Sequence, residues 1–313
     1  MKGFRIGHAH DKDAATGVTV VLCEEGAVTG VDVRGGAPAT RETDLLDPVN
    51  MVERIHGLFL AGGSAFGLDA ASGVMTYLED RGVGFDVQVT TVPIVCGAAL
   101  FDLTVGDCRV RPDRAMGHQA CLNAREDDPD EGCVGAGAGA SIGKLLGMDR
   151  AMKSGIGWSF LKEGDLEVAA LVAVNCLGDV FDPRRGRLIA GLRDASGQGL
   201  ADTEATMRSR WRERRNLFSG NTTLGVVLTN GDFGKAQMNK LASMAHDGYG
   251  RTLRPAHSMF DGDTIFALSC PAVAADLSVV AVMAVSAVEG AVVNAVVSAS
   301  SFGDLPAWSD LFG

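Results

Sequence analysis

The residues best suited to chemistry stand at the mouth of an apolar run. Gly220-Asn221-Thr222-Thr223 leads into Leu224-Gly225-Val226-Val227-Leu228-Thr229. A threonine hydroxyl is a poor nucleophile until a base removes its proton. A threonine that begins a chain carries its own base, because an α-amine has an unperturbed pKa of roughly 7.7–8.0. Asn221-Thr222 therefore reads as a point of self-cleavage. The Thr222 hydroxyl would attack the Asn221 carbonyl in an N→O acyl shift, and water would resolve the ester. The expected products are residues 1–221 and 222–313. Gly220 permits a bent backbone just before the cut. Upstream, Met207 to Arg215 carries five arginines and Trp211. That composition reads as an accessible segment through which a new chain end can move away.

Other groups invite the same question. Asp261 and Asp263, in Phe260-Asp261-Gly262-Asp263-Thr264, point to one side of an extended chain. Two like charges there need a cation between them, a metal or a protonated amine; an Asx-turn is the plain alternative. Lys144 ends the glycine run from Gly135 and either supplies positive charge to a site or lies on the surface. Asn175 closes the apolar strand Val168 to Val174, where its amide can serve a developing oxyanion or simply form a turn. His8 and His10 form an H-x-H pair without an acidic or cysteine cluster nearby, which favours a surface or packing role over a metal. The glycine turns fail as nucleotide motifs. Gly62-Gly63-Ser64-Ala65-Phe66-Gly67 lacks the G-x-G-x-x-G order. The run ending in Gly143-Lys144 has Ala138 where a P-loop needs glycine and Leu145 where it needs Ser or Thr.

These groups need elements to hold them. Strands are expected at Val18–Leu22 and Val28–Val33 around an acidic turn at Glu24-Glu25-Gly26, at Ile55–Leu60, and at Val89–Val95 with Pro93 marking an edge. Further strands are expected at Val168–Val174, at the run after Thr222, and at Ile265–Ser269. Helices are expected after Ser64, with Leu68, Ala71, Val74, Met75 and Leu78 on one face, and from Lys235 to about Asp247. Residues 109–113, 126–131 and 179–199 read as loops. Ala272 to Ser300 is apolar but contains Asp276, Glu289 and Asn294, which suits a buried helix better than a membrane span. With 46% hydrophobic residues, only 6% aromatic ones and 41 glycines, the core must be built from small side chains in closely packed layers. A net charge of −11 argues against nucleic acid or anionic membrane as the main partner. Seven cysteines without C-x-x-C spacing, and no apolar stretch near Met1, point to a reducing cytoplasm.

Taken together, the chain resembles the autoprocessing N-terminal-nucleophile amidases that include the β-peptidyl and D-aminopeptidases, and within them the nylon-oligomer hydrolase branch. The motifs that carry the resemblance are Asn221 to Val227, Phe260 to Thr264, Val174-Asn175-Cys176-Leu177-Gly178, Gly143-Lys144, and Leu60-Ala61-Gly62-Gly63-Ser64-Ala65-Phe66-Gly67-Leu68. It implies an α+β fold, a four-layer αββα sandwich formed by one domain over 1–313, and homotetramers of processed subunits. It implies Thr222 as nucleophile, Asp261 and Asp263 as holders of the new amine, Lys144 as an active-site lysine and Asn175 on the oxyanion side. The implied activity is hydrolysis of a small amide or peptide, with no metal or organic cofactor. Some relatives carry a tyrosine near the nucleophile; the matching stretch here holds Phe101, which would leave the site one hydroxyl short. Three rivals stand beside this reading: the same threonine passing its acyl group to an amine, a nucleotide-binding protein, and a non-catalytic scaffold.

Overall fold

The computed structural model describes residues 1–212 and 220–313. Among them, nine strands form one sheet: β1 (Arg5–Asp11), β2 (Thr16–Val33), β3 (Thr40–Arg41), β4 (Arg54–Ala61), β5 (Val95–Ala99), β6 (Ile156–Glu163), β7 (Leu166–Ala173), β8 (Leu224–Gly231) and β9 (Thr264–Val273). They run in the order β6-β7-β8-β9-β2-β4-β5-β3, with β1 also beside β2. The pairs β8–β9 and β4–β5 are parallel and the others antiparallel.

One sheet supplies both β layers because β2 serves two neighbourhoods. Its first half pairs with β1 and β4, and its second half with β9. The acidic turn expected at Glu24-Glu25-Gly26 is no hairpin. The chain continues through it, and the pairing with β4 shifts register between Leu22 and Ala27. An irregularity of this kind bends a strand, which lets the two halves face each other. Successive side chains on a strand point to opposite faces. Leu58 and Leu60 of β4 thus meet Leu224, Val226 and Leu228 of β8 in the middle of the molecule. Phe59 and Ala61 point outward instead, onto helices α1 (Ala70–Glu79) and α2 (Arg114–Leu122). On the far side Val227 of β8 and Ile265 of β9 meet helices α4 (Lys235–Thr252) and α5 (Leu277–Val297). The result is the αββα sandwich implied by the resemblance. A short helix α3 (Thr203–Ser209) lies ahead of Asn221-Thr222.

Local chemistry explains where the helices fall. Asp276 caps α5, accepting from Ser278 N at 2.8 Å and Val279 N at 3.3 Å. Val280, Ala284, Ala287, Val288, Ala291 and Ala295 then fall on one buried stripe. By length and composition α5 is able to cross a membrane, yet it packs against β6 and β7. The expected strand at Val89–Val95 breaks at Pro93: Thr91–Val92 pairs in a hairpin with Phe85–Asp86, and β5 begins at Val95. Residues 179–199 are not simply loop, since Asp179–Asp182 and Arg187–Ala190 pair with each other. In the acidic segment, Glu131 and Asp128 accept from Trp158 N at 2.6 Å and Trp158 Nε1 at 3.0 Å, so part of it is structural. The arginine-rich segment enters the described residues only as far as Arg212; Arg214 and Arg215 lie outside them.

Small residues set the layer spacing. A Cβ on Gly30 of β2 would lie 2.1 Å from the backbone nitrogen of Asn239 in α4. Gly250, in the same helix, has open space around it. Gly30→Ala is expected to cost about 1–3 kcal/mol through overpacking. Gly250→Ala is expected to stabilise by about 0.5–1 kcal/mol through helix propensity. Urea titration of both variants checks the contrast.

Candidate active site

Asn221 lies beside Asp261 in an isolated parallel bridge just ahead of β8 and β9, whose parallel pairing begins at Leu224 and Thr264. Asn221 N donates to Phe260 O at 3.3 Å, and Gly262 N donates to Asn221 O at 3.0 Å. The Thr222 hydroxyl also donates to Asn221 O. The carbonyl before Thr222 is therefore held by a backbone donor while the threonine oxygen rests against it. Thr222 N donates to Asn175 O at 3.0 Å. Asn221, Thr222 and Thr223 are all buried.

Two glycines make this approach possible. Gly220 has φ +57, and a Cβ there would fall 2.1 Å from the Phe101 ring. A Cβ on Gly262 would fall 2.7 Å from Thr222 Oγ1. Phe101 thus lies at the site, as the matching stretch suggested, with its ring against Gly220 and its carbonyl accepting from Asn175 Nδ2 at 2.9 Å.

Lys144 is not a surface lysine; it is 2% exposed. Gly143, at φ +70 and pressed against Gly191, turns the chain inward ahead of it. Its Nζ donates to Asn175 O at 3.1 Å, Asn175 Oδ1 at 2.9 Å and Gly220 O at 3.2 Å. Burial lowers its pKa to about 8, against the upward pull of Cys176, Asp261 and Asp102. Asn175 Oδ1 also accepts from Ser141 N at 3.0 Å. These donors fix the amide orientation: oxygen toward Lys144 and Ser141, NH2 toward Phe101 O.

The two aspartates are brought together here and divide the work. Asp263 Oδ1 accepts from Thr223 N at 2.8 Å, and its Oδ2 from His257 N and His257 Nδ1, each at 2.9 Å. Asp261 Oδ2 accepts from Ser258 N, three residues upstream, at 2.9 Å, which is not the Asx-turn anticipated as the plain alternative, where the donor lies two residues on. Its Oδ1 is buried without a partner among the described residues. Burial, then the charge of Asp263, raises the Asp261 pKa to about 6, against Ser258 and Lys144. Sequence reasoning missed His257 and the segment Arg34–Ala37, whose amides brace Asp261 and Asp263 through their carbonyls. The doubled glycine Gly35-Gly36 was the available signal; a Cβ on Gly35 would fall 2.2 Å from Asp261 O.

Polar groups around the two glycine turns are already engaged within the protein. Gly63 N donates to Asp102 Oδ1 at 2.7 Å, so a buried carboxylate already occupies that turn. In the Gly135–Lys144 run, carbonyls of Gly137 and Ala140 point at the buried Lys153 ammonium, the reverse of the N–H cradle a phosphate needs. His8 Nδ1 pairs with Thr19 Oγ1 at 2.9 Å, a packing contact. Among the described residues no group of His, Cys, Asp and Glu could hold a metal.

Asp261 titrates at about 6 in the fold but at roughly 3.9 in an unfolded chain. Between these values the native state binds more protons, so stability falls as pH rises from about 4 to about 6. Asp261→Asn removes that loss. In a chain carrying Thr222→Ala, the further Asp261→Asn change is expected to stabilise by about 3 kcal/mol above about pH 7 and by nothing below about pH 4. Urea midpoints at the two pH values check it; a gain that does not grow with pH would contradict a carboxylate ionised there at a cost.

Comparison with known proteins identifies the family of the chain and its fold. The model of peptidase family S58 matches residues 1–305. An uncharacterized aminopeptidase of Mycobacterium leprae (strain TN) is 38% identical, covering 100% of this chain and 93% of the relative. A 6-aminohexanoate-oligomer endohydrolase of Kocuria sp. (strain KY2) is 31% identical, covering 85% of this chain and 73% of the relative. Among solved structures, the L-aminopeptidase D-Ala-esterase/amidase of Ochrobactrum anthropi, described as a variant of the Ntn-hydrolase fold, superposes with a TM-score of 0.72 at 19% identity. That match covers 97% of this chain and 86% of the other. A Burkholderia β-aminopeptidase superposes with a TM-score of 0.66 at 18% identity, over 96% and 85% of the two chains. With its αββα layers and a family match over nearly its whole length, the chain belongs to peptidase family S58 and is a hydrolase of the Ntn fold.

Proposed function

We propose that this hydrolase cuts itself between Asn221 and Thr222 and then cleaves amide bonds with Thr222 as an N-terminal nucleophile. One observation carries the reading: the buried Thr222 hydroxyl rests on the Asn221 carbonyl oxygen while Gly262 N–H grips that same oxygen. Charge developing on the oxygen as the hydroxyl attacks would find its donor already in place. A preorganised donor of this kind is worth about 2.7–4 kcal/mol in acyl transfer. The hydroxyl proton ends on the released amine, and water resolves the ester.

Cleavage creates an ammonium where the uncut chain has a neutral amide. Thr222 N already faces Asn175 O, and Asp261 Oδ1 is a buried acceptor unfilled among the described residues. We assign Asp261 and Asp263 to hold the new amine. Asp261 pulls its pKa up and Lys144 pulls it down, toward a working range where the free amine acts as base. The substrate carbonyl is then attacked by Thr222, with Asn175 Nδ2 as an oxyanion donor. Its remaining N–H is the one not given to Phe101 O. The substrate class we infer is a small amide or peptide, as the names of the aminopeptidase and oligomer-hydrolase relatives suggest. A cytoplasmic location, supported by seven unpaired cysteines, and homotetramers of processed subunits belong to the same proposal.

The purified protein is expected to run as two bands on a denaturing gel and to stay together natively. N-terminal sequencing of the small piece is expected to begin at Thr222, not Thr223. Thr222→Ala is expected to remain whole and inactive, and Lys144→Met to cut about 10²–10³-fold more slowly. Full amide hydrolysis by a chain that stays intact would overturn the proposal.

A further inference from the structure

His257 stands six residues before Asp263, in the loop that leads into β9. Its backbone has φ +57, a region where most L-residues are scarce and Asn, Asp and His are enriched. The turn brings two donors of one residue onto one oxygen. His257 N and His257 Nδ1 each lie 2.9 Å from Asp263 Oδ2. With the ring proton on Nδ1, the ring donates to the same oxygen that accepts from the His257 backbone N–H. With Oδ2 gripped twice, Oδ1 is left aimed at Thr223 N, 2.8 Å away.

The imidazole is itself held in place. It meets the His246 ring edge-on at 4.8 Å between centroids, and the Tyr249 ring lies at 6.2 Å. His246 is in turn fixed by Nε2, which lies 3.0 Å from Asp32 O, the residue before the second half of β2 ends. Helix α4 and the end of β2 thus bear, through His257, on the orientation of the Asp263 carboxylate.

We propose that His257 is a positioning residue: by locking Asp263 it fixes the Thr222–Thr223 peptide, and with it the Thr222 hydroxyl against the Asn221 carbonyl. This rests on Thr222 being the nucleophile. A residue that merely supported its own loop would need only the left-handed backbone. A residue that positions Asp263 needs the donor as well. Two variants separate these roles. His257→Gly keeps the backbone conformation and removes the side-chain donor. His257→Asn also tolerates that conformation and returns an amide N–H near the place of Nδ1.

The deciding measurement is amide hydrogen exchange in a chain kept whole by Thr222→Ala. His257→Gly is expected to speed exchange at Thr223 N–H about tenfold or more, as loss of a hydrogen bond to a charged group implies. Val226 and Leu228 in the same strand should not change. His257→Asn is expected to stay within about threefold of the parent. In the chain that retains Thr222, His257→Gly should slow self-cutting and lower kcat with KM unchanged, and His257→Asn should recover both. The proposal is overturned if His257→Gly leaves Thr223 protected, or if both variants loosen Thr223, Val226 and Leu228 alike. An unsubstituted chain that stays uncut and inactive would count against the nucleophile, while exchange at Thr223 would still decide the role of His257.

Discussion

The site depends on keeping ionisable groups out of water beside one stretch of peptide. Among the described residues Lys144 has no carboxylate in hydrogen-bond contact; its Nζ donates to amide oxygens of Asn175 and Gly220. Asp261 keeps one carboxylate oxygen with no donor among the described residues. Burial opposes both charges, lowering one pKa and raising the other, and each charge partly relieves the other. Neither would persist in an unsupported loop. The surrounding fold has to hold them there, so every carbonyl that Lys144 touches and every amide around the aspartates must already be in place.

The layers provide that support through backbone geometry more than through large side chains. Gly143, Gly220 and Gly262 each sit where a Cβ would strike a neighbour, and each lies within two residues of a named site residue. The glycine richness of the chain is thus partly a requirement of the site. The same close approach recurs where Gly30 meets α4 and Gly157 meets the backbone of α5.

Much of this was legible in the sequence where the signal was local. The strand after Thr222, the helices at 70–79 and 277–297, and the strand-end position of Asn175 follow from periodicity and turn residues within a few positions. What was not legible lay in long-range pairing. Lys144 looked like a surface residue because its partners are 31 and 76 positions away. Glu24-Glu25-Gly26 has the composition of a hairpin turn, but β2 and β4 accommodate it as an irregularity within one strand. Helix α2 shows weak amphipathic character and is positioned by an Asp113 cap and by the face of α1 it packs on. His257 offered no signal beyond its nearness to Asp261, since its role depends on a backbone conformation that residue types do not announce.

The placement of β8 has a consequence for how such a molecule is made. β8 lies between β7, from one side of Asn221-Thr222, and β9, from the other, and β9 in turn lies against β2. The segments before and after Asn221-Thr222 are dovetailed within a single sheet. An intact chain assembles that sheet in a unimolecular reaction. Two severed pieces would have to find each other and insert strands into a gap, in a reaction that slows with dilution. On the proposed reading, a chain cut there would gain a working chain end and give up its route back from the unfolded state, and so would fold only once.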